Sequence, residues 1–269
     1  LRRQREDLIS CLLVTPGDPA RMGMLQRSIA GYCAQTYANK ELVVVSDGPG
    51  DMVDAIAAFI ESLDRSDVRL VRFEERLSLG ALRNLSCERA MGDFLCQWDD
   101  DDVYHPCRLE EQHRALVDAG AACLYLEDTL QFFTASREIY WLNWRATEAR
   151  AHPGTLLCRR SAQPRYPESG DMAERGEDLV VCLELQKKPG FATLAQMPYL
   201  YVYVTHDVNK YPREHHAMLA GSLAISKGLL DRREATLRDE LARVDLGPGK
   251  IVVQGSNGPA FALNESVSS

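Results

Sequence analysis

No apolar run in this chain approaches the roughly 18 to 20 residues that a membrane-crossing helix requires, so no helical span is predicted. Basic residues are in deficit: 31 Lys and Arg stand against 39 Asp and Glu among 269 residues, a formal charge of −8. Duplex binding needs a concentrated cationic surface, and this balance argues against a nucleic-acid groove. The eight cysteines (Cys11, Cys33, Cys87, Cys96, Cys107, Cys123, Cys158, Cys182) never form a CxxC pair. Scattered singly, mostly in apolar segments, they read as free buried thiols rather than a zinc site or a disulfide framework. Six histidines are few for a hydrolase built on a histidine-rich metal centre. The start, Leu1-Arg2-Arg3-Gln4-Arg5, has no signal-peptide pattern, and no internal repeat is visible. A cytoplasmic protein fits these absences. The arginines at the start read either as a solvated helix end or as a contact with an anionic membrane, the inner face of the plasma membrane.

What the chain has in quantity is apolar residue, 45% of the total, enough for a sizeable core. Apolar runs of strand length at 8–14 and 41–46 flank a helical pattern over 24–34. Two further cycles follow, helix 52–63 with strand 68–73, then helix 79–91 with strand 94–98. This alternation predicts an α/β fold with a mostly parallel central sheet flanked by helices. The second half is less regular. It reads as a helix from near Pro106, one or two strands over 121–133, a strand over 154–158, and a loop over 161–176 carrying Pro164 and Pro167. A helix over 177–187, an aromatic strand over 199–204 and helices over 211–230 and 232–244 complete it. Trp141 and Trp144, three apart, suit one face of a buried helix.

The strand at 94–98 runs directly into Asp99-Asp100-Asp101-Asp102. Adjacent carboxylates repel and raise one another's pKa unless a cation sits among them, and hard oxygen ligands select Mg²⁺ or Mn²⁺. In an open α/β sheet, ligands bind beyond the carboxyl ends of the strands, where this cluster falls. A solvated acidic turn is the plain alternative. Other candidates stand at comparable places. Asp47 follows an apolar strand, although an Asp-Gly turn would look the same. Arg83-Asn84 open a helix, where a guanidinium can reach phosphate and an amide can cross-link a loop; Arg83 also suits a surface ion pair. Glu177-Asp178 open another helix, and an ionised carboxylate there can accept a proton, although acidic first turns are common for their own sake. His206 follows the aromatic strand, and a neutral imidazole can ligate Mn²⁺ or simply be a satisfied polar group.

Four segments together resemble the family 2 glycosyltransferases of GT-A fold, over about residues 8–210. They are Ile9-Ser-Cys-Leu-Leu-Val-Thr15 with Gln35-Thr36-Tyr37 and Glu41-Leu-Val-Val-Val-Ser-Asp47-Gly48; Leu79-Gly80-Ala-Leu-Arg83-Asn84 with Ala90-Met-Gly92-Asp-Phe-Leu; Trp98 through Pro106 with the aspartates; and Gly176-Glu177-Asp178-Leu. The resemblance places Asp99 and Asp101 on the family's DxD motif, one carboxylate facing the donor and another the metal. The run of four leaves the register open, with Asp100 on the donor and Asp102 able to replace Asp101 as ligand. It implies that Asp47 hydrogen-bonds the nucleobase, commonly uracil, beside Thr15, and that Arg83 and Asn84 contact the donor. Asp178 is then the general base, with Glu177 as fallback, and His206 completes the metal shell. Trp98, Tyr104 and His105, with Trp141 and Trp144, become candidates for stacking on sugar. The first strand departs from the family's Pro-Thr-Tyr-Asn pattern, reading Thr15-Pro16-Gly17-Asp18, which leaves base selectivity open.

The implied activity is a metal-dependent, inverting transfer of a hexosyl-type sugar from a nucleoside-diphosphate sugar, UDP-linked by default, to a saccharide or glycolipid hydroxyl in surface polysaccharide assembly. Peripheral-membrane or polysaccharide-assembly partners follow from that setting. The expected layout is one GT-A domain over 1–253, with a nucleotide-sugar half over about 8–105, an acceptor half over about 106–230 and a C-terminal helix to about 245. A polar mobile tail or linker is expected over 254–269, and the chain, lacking an initiating Met, reads as one domain of a longer protein. Two rivals are a nucleotide-sugar nucleotidyltransferase, which should carry a Gly-rich basic loop where Thr15 to Arg21 has one glycine and one arginine, and a non-catalytic carbohydrate-binding or assembly module.

Overall fold

The computed structural model describes residues 6–264. The arginines at the start, and the last five residues of the expected tail, lie outside the described residues.

The first half alternates as the apolar pattern requires: β1 (Ile9–Thr15), α1 (Met22–Cys33), β2 (Lys40–Ser46), α2 (Gly50–Ser62), β3 (Val68–Arg72), α3 (Leu79–Arg89) and β4 (Phe94–Asp99). These strands pair in parallel in the order β3-β2-β1-β4. β1, β2 and β4 bury both faces, which is why the middles of β1 and β2 are apolar runs, whereas the edge strand β3 is only half-buried. Alternate side chains nonetheless serve different cores. Ile9, Cys11 and Leu13 of β1 join Leu25, Ile29 and Tyr32 of α1 and Ile56 and Ile60 of α2 on one face. Leu12 and Val14 meet Leu82 and Cys87 of α3 on the other. All eight cysteines are free, and six are buried in these layers.

Beyond β4 come β5 (Val103–Tyr104), α4 (Arg108–Asp118), β6 (Cys123–Leu126), β7 (Asp128–Phe133), β8 (Glu138–Asn143), β9 (Leu157–Arg159), α5 (Glu177–Gln186), β10 (Phe191–Leu194) and β11 (Tyr201–Thr205). The chain closes with α6 (Arg213–Leu223), α7 (Lys227–Asp231), α8 (Glu234–Leu241), β12 (Ile251–Gly255) and β13 (Gly258–Leu263). β9 inserts antiparallel between β4 and β6, and β10 pairs with β6 in parallel, so the main sheet has seven strands and is mostly parallel. A second sheet of six strands runs β13-β12-β8-β7-β11-β5.

Several expectations change here. The segment with Trp141 and Trp144 is not an α-helix but a strand followed by a single 3-10 turn, Trp144–Ala146. Trp141 lies in β8, paired antiparallel with β7, and its indole N–H donates to Asp128 at 2.7 Å. Trp144 follows the strand and donates to the Thr129 hydroxyl at 2.9 Å. The expected helix over 211–230 breaks after Leu223, because Ala224 turns extended and the Ile225 N–H goes to the Trp141 carbonyl at 3.0 Å. Residues 254–264, expected in a mobile tail, belong to the β12–β13 hairpin, with Val253 and Leu263 buried and β12 paired to β8.

Candidate active site

The order β3-β2-β1-β4 places the carboxyl ends of β1, β2 and β4 side by side, and loops leaving neighbouring strand ends in opposite directions open a crevice between them. A cleft of about 550 Å³ lies there, walled by Asp47, Arg83, Asp99 to Asp102, Glu177 and Asp178, with Arg21, Arg76, Tyr203 and Tyr211. That volume is in the range of small-molecule sites.

The aspartate turn is pinned before any ligand arrives. The Tyr104 hydroxyl donates to the Asp99 carbonyl at 2.9 Å and accepts from the Asp99 N–H at 2.6 Å, and Ser28 Oγ donates to the same carbonyl at 2.7 Å. Beneath the turn Arg108 is fully buried, its guanidinium 5.2, 4.8 and 5.3 Å from the Trp98, Tyr104 and Tyr201 ring centres, a cation–π contact in a desolvated setting. Trp98, Tyr104 and His105 are 0, 3 and 1% exposed. They form the floor under the aspartates and offer no face for a sugar to stack on.

The four carboxylates have separate surroundings. Asp99 meets Arg83 Nη2 at 2.9 Å. Asp100 is held by Arg21 and by the Thr15 hydroxyl, and burial with Asp101 alongside raises its pKa. Burial works against ionised Asp101, but His206 and Arg21 outweigh it and hold the carboxyl below its ordinary value. Asp102 accepts from the Tyr201 hydroxyl and, at 2.8 Å, from the Val204 N–H. Burial and its acidic neighbours push it well above the usual carboxylate range. Its oxygens are committed to β11, so Asp101 is the better placed of the two for a cation.

A hard divalent cation takes carboxylate oxygen and neutral imidazole. Asp101 Oδ2 and His206 Nε2 stand 3.1 Å apart, and two cis ligands about 2.1 Å from a six-coordinate ion are about 3.0 Å apart. That pair fits a metal. Among the described residues no three Asp, Glu, His or Cys side chains are gathered as a ligand set, and Arg21 Nη2 also donates to Asp101 Oδ2, at 2.7 Å.

Arg83 joins two walls. Its Nη2 binds Asp99 and its Nε donates to Glu177 at 2.6 Å, linking the end of β4 to the start of α5. Glu177 is thereby a buried ion-pair partner. Asp178, next along α5, has its pKa pushed up to about 7 by burial and the Glu177 charge, against the pull of Arg83. Asp47 accepts from the Leu77 N–H at 2.9 Å and meets the exposed Arg76 at 3.2 Å.

Three expected residues do not reach the wall of this cleft. Thr15 is 1% exposed and backs Asp100. Asn84 is a clasp: its amide donates to the Tyr166 carbonyl and to Glu168 and accepts from the Tyr166 N–H, at 2.9, 2.7 and 2.8 Å. The first part of the 161–176 loop is therefore tied down, and only Glu174, Arg175 and Gly176 of it face the cleft. His206 stands behind Asp101, in an adjoining depression. Arg21 and Arg76 were not legible as site residues, because each sits in an irregular loop with no periodic signal.

Comparison with known proteins agrees with this architecture. A Rickettsia typhi protein described as an uncharacterised glycosyltransferase is 30% identical over 88 residues, 33% of this chain and 26% of that one. This chain thus matches about a quarter of that relative's length. Among solved structures, S. aureus TarS in complex with UDP-GlcNAc superposes with a TM-score of 0.57 at 14% identity, covering 90% of this chain and 68% of that one. The mannosyltransferase PcManGT from Pyrobaculum calidifontis, in complex with GDP-Man and Mn²⁺, gives 0.57 at 14% identity, covering 88 and 66%. These likenesses establish the GT-A fold. The family model described as "Glycosyl transferase family 2" matches residues 21–158, just over half of the sequence, and the chain belongs to that family.

Proposed function

We propose that the protein transfers a hexosyl-type sugar, with inversion, from a nucleoside-diphosphate sugar to a hydroxyl of a saccharide or glycolipid acceptor in surface polysaccharide assembly. The observation that carries this reading is a single cleft walled by Asp101, which His206 backs from the adjoining depression, and by Asp178, a carboxylate whose pKa is raised to about 7. The donor is UDP-linked in this reading. Leu77 N–H fixes one Asp47 oxygen, and the exposed Arg76 can swing aside, leaving the other oxygen for a base N–H. The structural neighbours caught with UDP-GlcNAc and with GDP-Man keep both uracil and guanine in the test.

Asp178, when ionised, accepts the proton of the acceptor hydroxyl as that oxygen attacks the anomeric carbon opposite the diphosphate. Arg83, held rigid by Asp99 and Glu177, supplies a fixed positive charge in the cleft wall, of use only if it faces charge that grows in the transition state. Asp101 and His206 would hold Mn²⁺ or Mg²⁺, which supplies Lewis-acid stabilisation of the leaving diphosphate. Glu174, Arg175 and Gly176, beyond the clasped part of the loop, form the segment able to close over donor.

The test is release of nucleoside diphosphate from UDP-, GDP- and dTDP-sugars, with Mn²⁺ and an acceptor mixture present. Release from one donor class, lost in Asp178→Asn, supports the reading. No release from any of them, with the protein folded, refutes it.

A further inference from the structure

The carboxylate that this reading gives to a divalent cation already holds a cation of the chain's own. Arg21 Nε donates to Asp100 Oδ2 at 3.2 Å, its Nη2 donates to Asp100 Oδ1 and, at 2.7 Å, to Asp101 Oδ2, and its Nη1 reaches the Val208 carbonyl at 3.4 Å. The side chains of Arg21, Asp100 and Asp101 are 14, 4 and 14% exposed. A guanidinium fork on one carboxylate with a third bond to the next is a strong, oriented contact that an ammonium cannot reproduce. The oxygen it shares, Asp101 Oδ2, is the one facing His206 Nε2. A guanidinium and a metal bound through Asp101 and His206 therefore need the same atom.

The turn that delivers Arg21 to the aspartates is not packed into either core. It is a single 3-10 turn, Pro19–Arg21, with no buried residue, and Asp18, Pro19 and Ala20 are exposed. Arg21 can withdraw without unpacking either core. We propose that Arg21 is the resident counter-cation of the Asp100–Asp101 pair, and that a divalent cation reaches Asp101 and His206 only as Arg21 leaves. The inference rests on the metal-dependent donor site proposed above. It has a further consequence: Arg21 lines the same cleft, so a nucleoside diphosphate offers the displaced guanidinium anionic oxygens. Cation and nucleotide should then bind cooperatively, each removing a cost for the other.

The experiment is a titration of free Mn²⁺ by electron paramagnetic resonance against the folded protein, without nucleotide and then with UDP, GDP or dTDP. In Arg21→Gln the competitor is gone, so Mn²⁺ alone should bind on the order of tenfold tighter than to wild type, and nucleotide should add less. Arg21→Lys keeps the charge but not the fork, so its gain should fall between wild type and Arg21→Gln, which separates release of the competitor from a loosened loop. Arg76→Gln removes a cleft cation that touches neither Asp100 nor Asp101, and should shift affinity for Mn²⁺ alone, before any nucleotide is added, by less than about twofold. Unchanged or weaker Mn²⁺ binding in Arg21→Gln, or an equal gain in Arg76→Gln, overturns the proposal while leaving the metal site standing. Wild type that takes up no Mn²⁺ with any of the nucleotides overturns the metal reading, and this inference with it.

Discussion

The pH dependence of turnover should belong to Asp178. Its carboxyl is raised to about 7 by burial first and the neighbouring Glu177 second, so it is about one tenth ionised at pH 6 and about nine tenths at pH 8. A base acts in its ionised form, so kcat/KM should climb about tenfold between those values and level off above. Glu177→Gln removes the charge that raises Asp178 and frees Arg83, which lowers it. The rising limb should therefore move to lower pH, even if the loss of the ion pair reduces the plateau. Asp178→Asn should cost about 10² to 10⁴ in kcat and abolish the limb. The assay is donor turnover from pH 5.5 to 9 with folding checked at each pH. A flat wild-type profile, or a limb that stays in place in Glu177→Gln, would refute the assignment of Asp178.

Two predictions concern stability. A methyl group added at Gly80 would fall on the Pro167 carbonyl, in the loop that Asn84 clasps, so Gly80→Ala should destabilise by about 1 to 3 kcal/mol and lower donor turnover; a melting temperature equal to wild type would contradict that packing. Buried His152 accepts from the Gly154 N–H through Nδ1, and burial lowers its pKa to about 3. The unfolded chain takes up a proton near pH 6.5 where the folded one does not, so stability is lost as pH falls below 6.5. By pH 5 this residue alone should cost about 2 kcal/mol. Urea unfolding at pH 7.5 and 5 should show a smaller pH difference in His152→Gln than in wild type, and equal differences would sink the argument.

The half of the fold built on buried parallel strands was legible because apolar runs such as 41–46 have no other use in a chain of this composition. What escaped was set by partners distant in sequence. β8 looked helical because two tryptophans stand three apart, yet pairing with β7 decides its conformation. The β12–β13 hairpin is rich in small residues past Val253, with only Phe261 and Leu263 as large apolar side chains there, and it is recruited through β8, itself unforeseen. In the site, the strand-end carboxylates Asp47 and Asp99 to Asp101 announced themselves by position, and the opening of α5 did the same for Glu177 and Asp178. Burial separated residues the sequence treated alike. Asp102 turns away to Tyr201 and Val204, Glu177 pairs with Arg83, and Asn84 and Thr15 support the wall from behind. Arg21 was invisible because an irregular loop, not a periodic element, delivers it to Asp100.

The central claim is that this cleft binds a nucleoside diphosphate through a cation held at Asp101. Calorimetric titration of UDP, with GDP and dTDP alongside, tests it most directly when done with Mn²⁺, with EDTA and in Asp101→Ala. The account predicts heat of binding for one of these nucleotides in Mn²⁺, lost with EDTA and lost in the variant. Binding that survives both treatments, or no binding of any nucleotide to the folded protein, would contradict it.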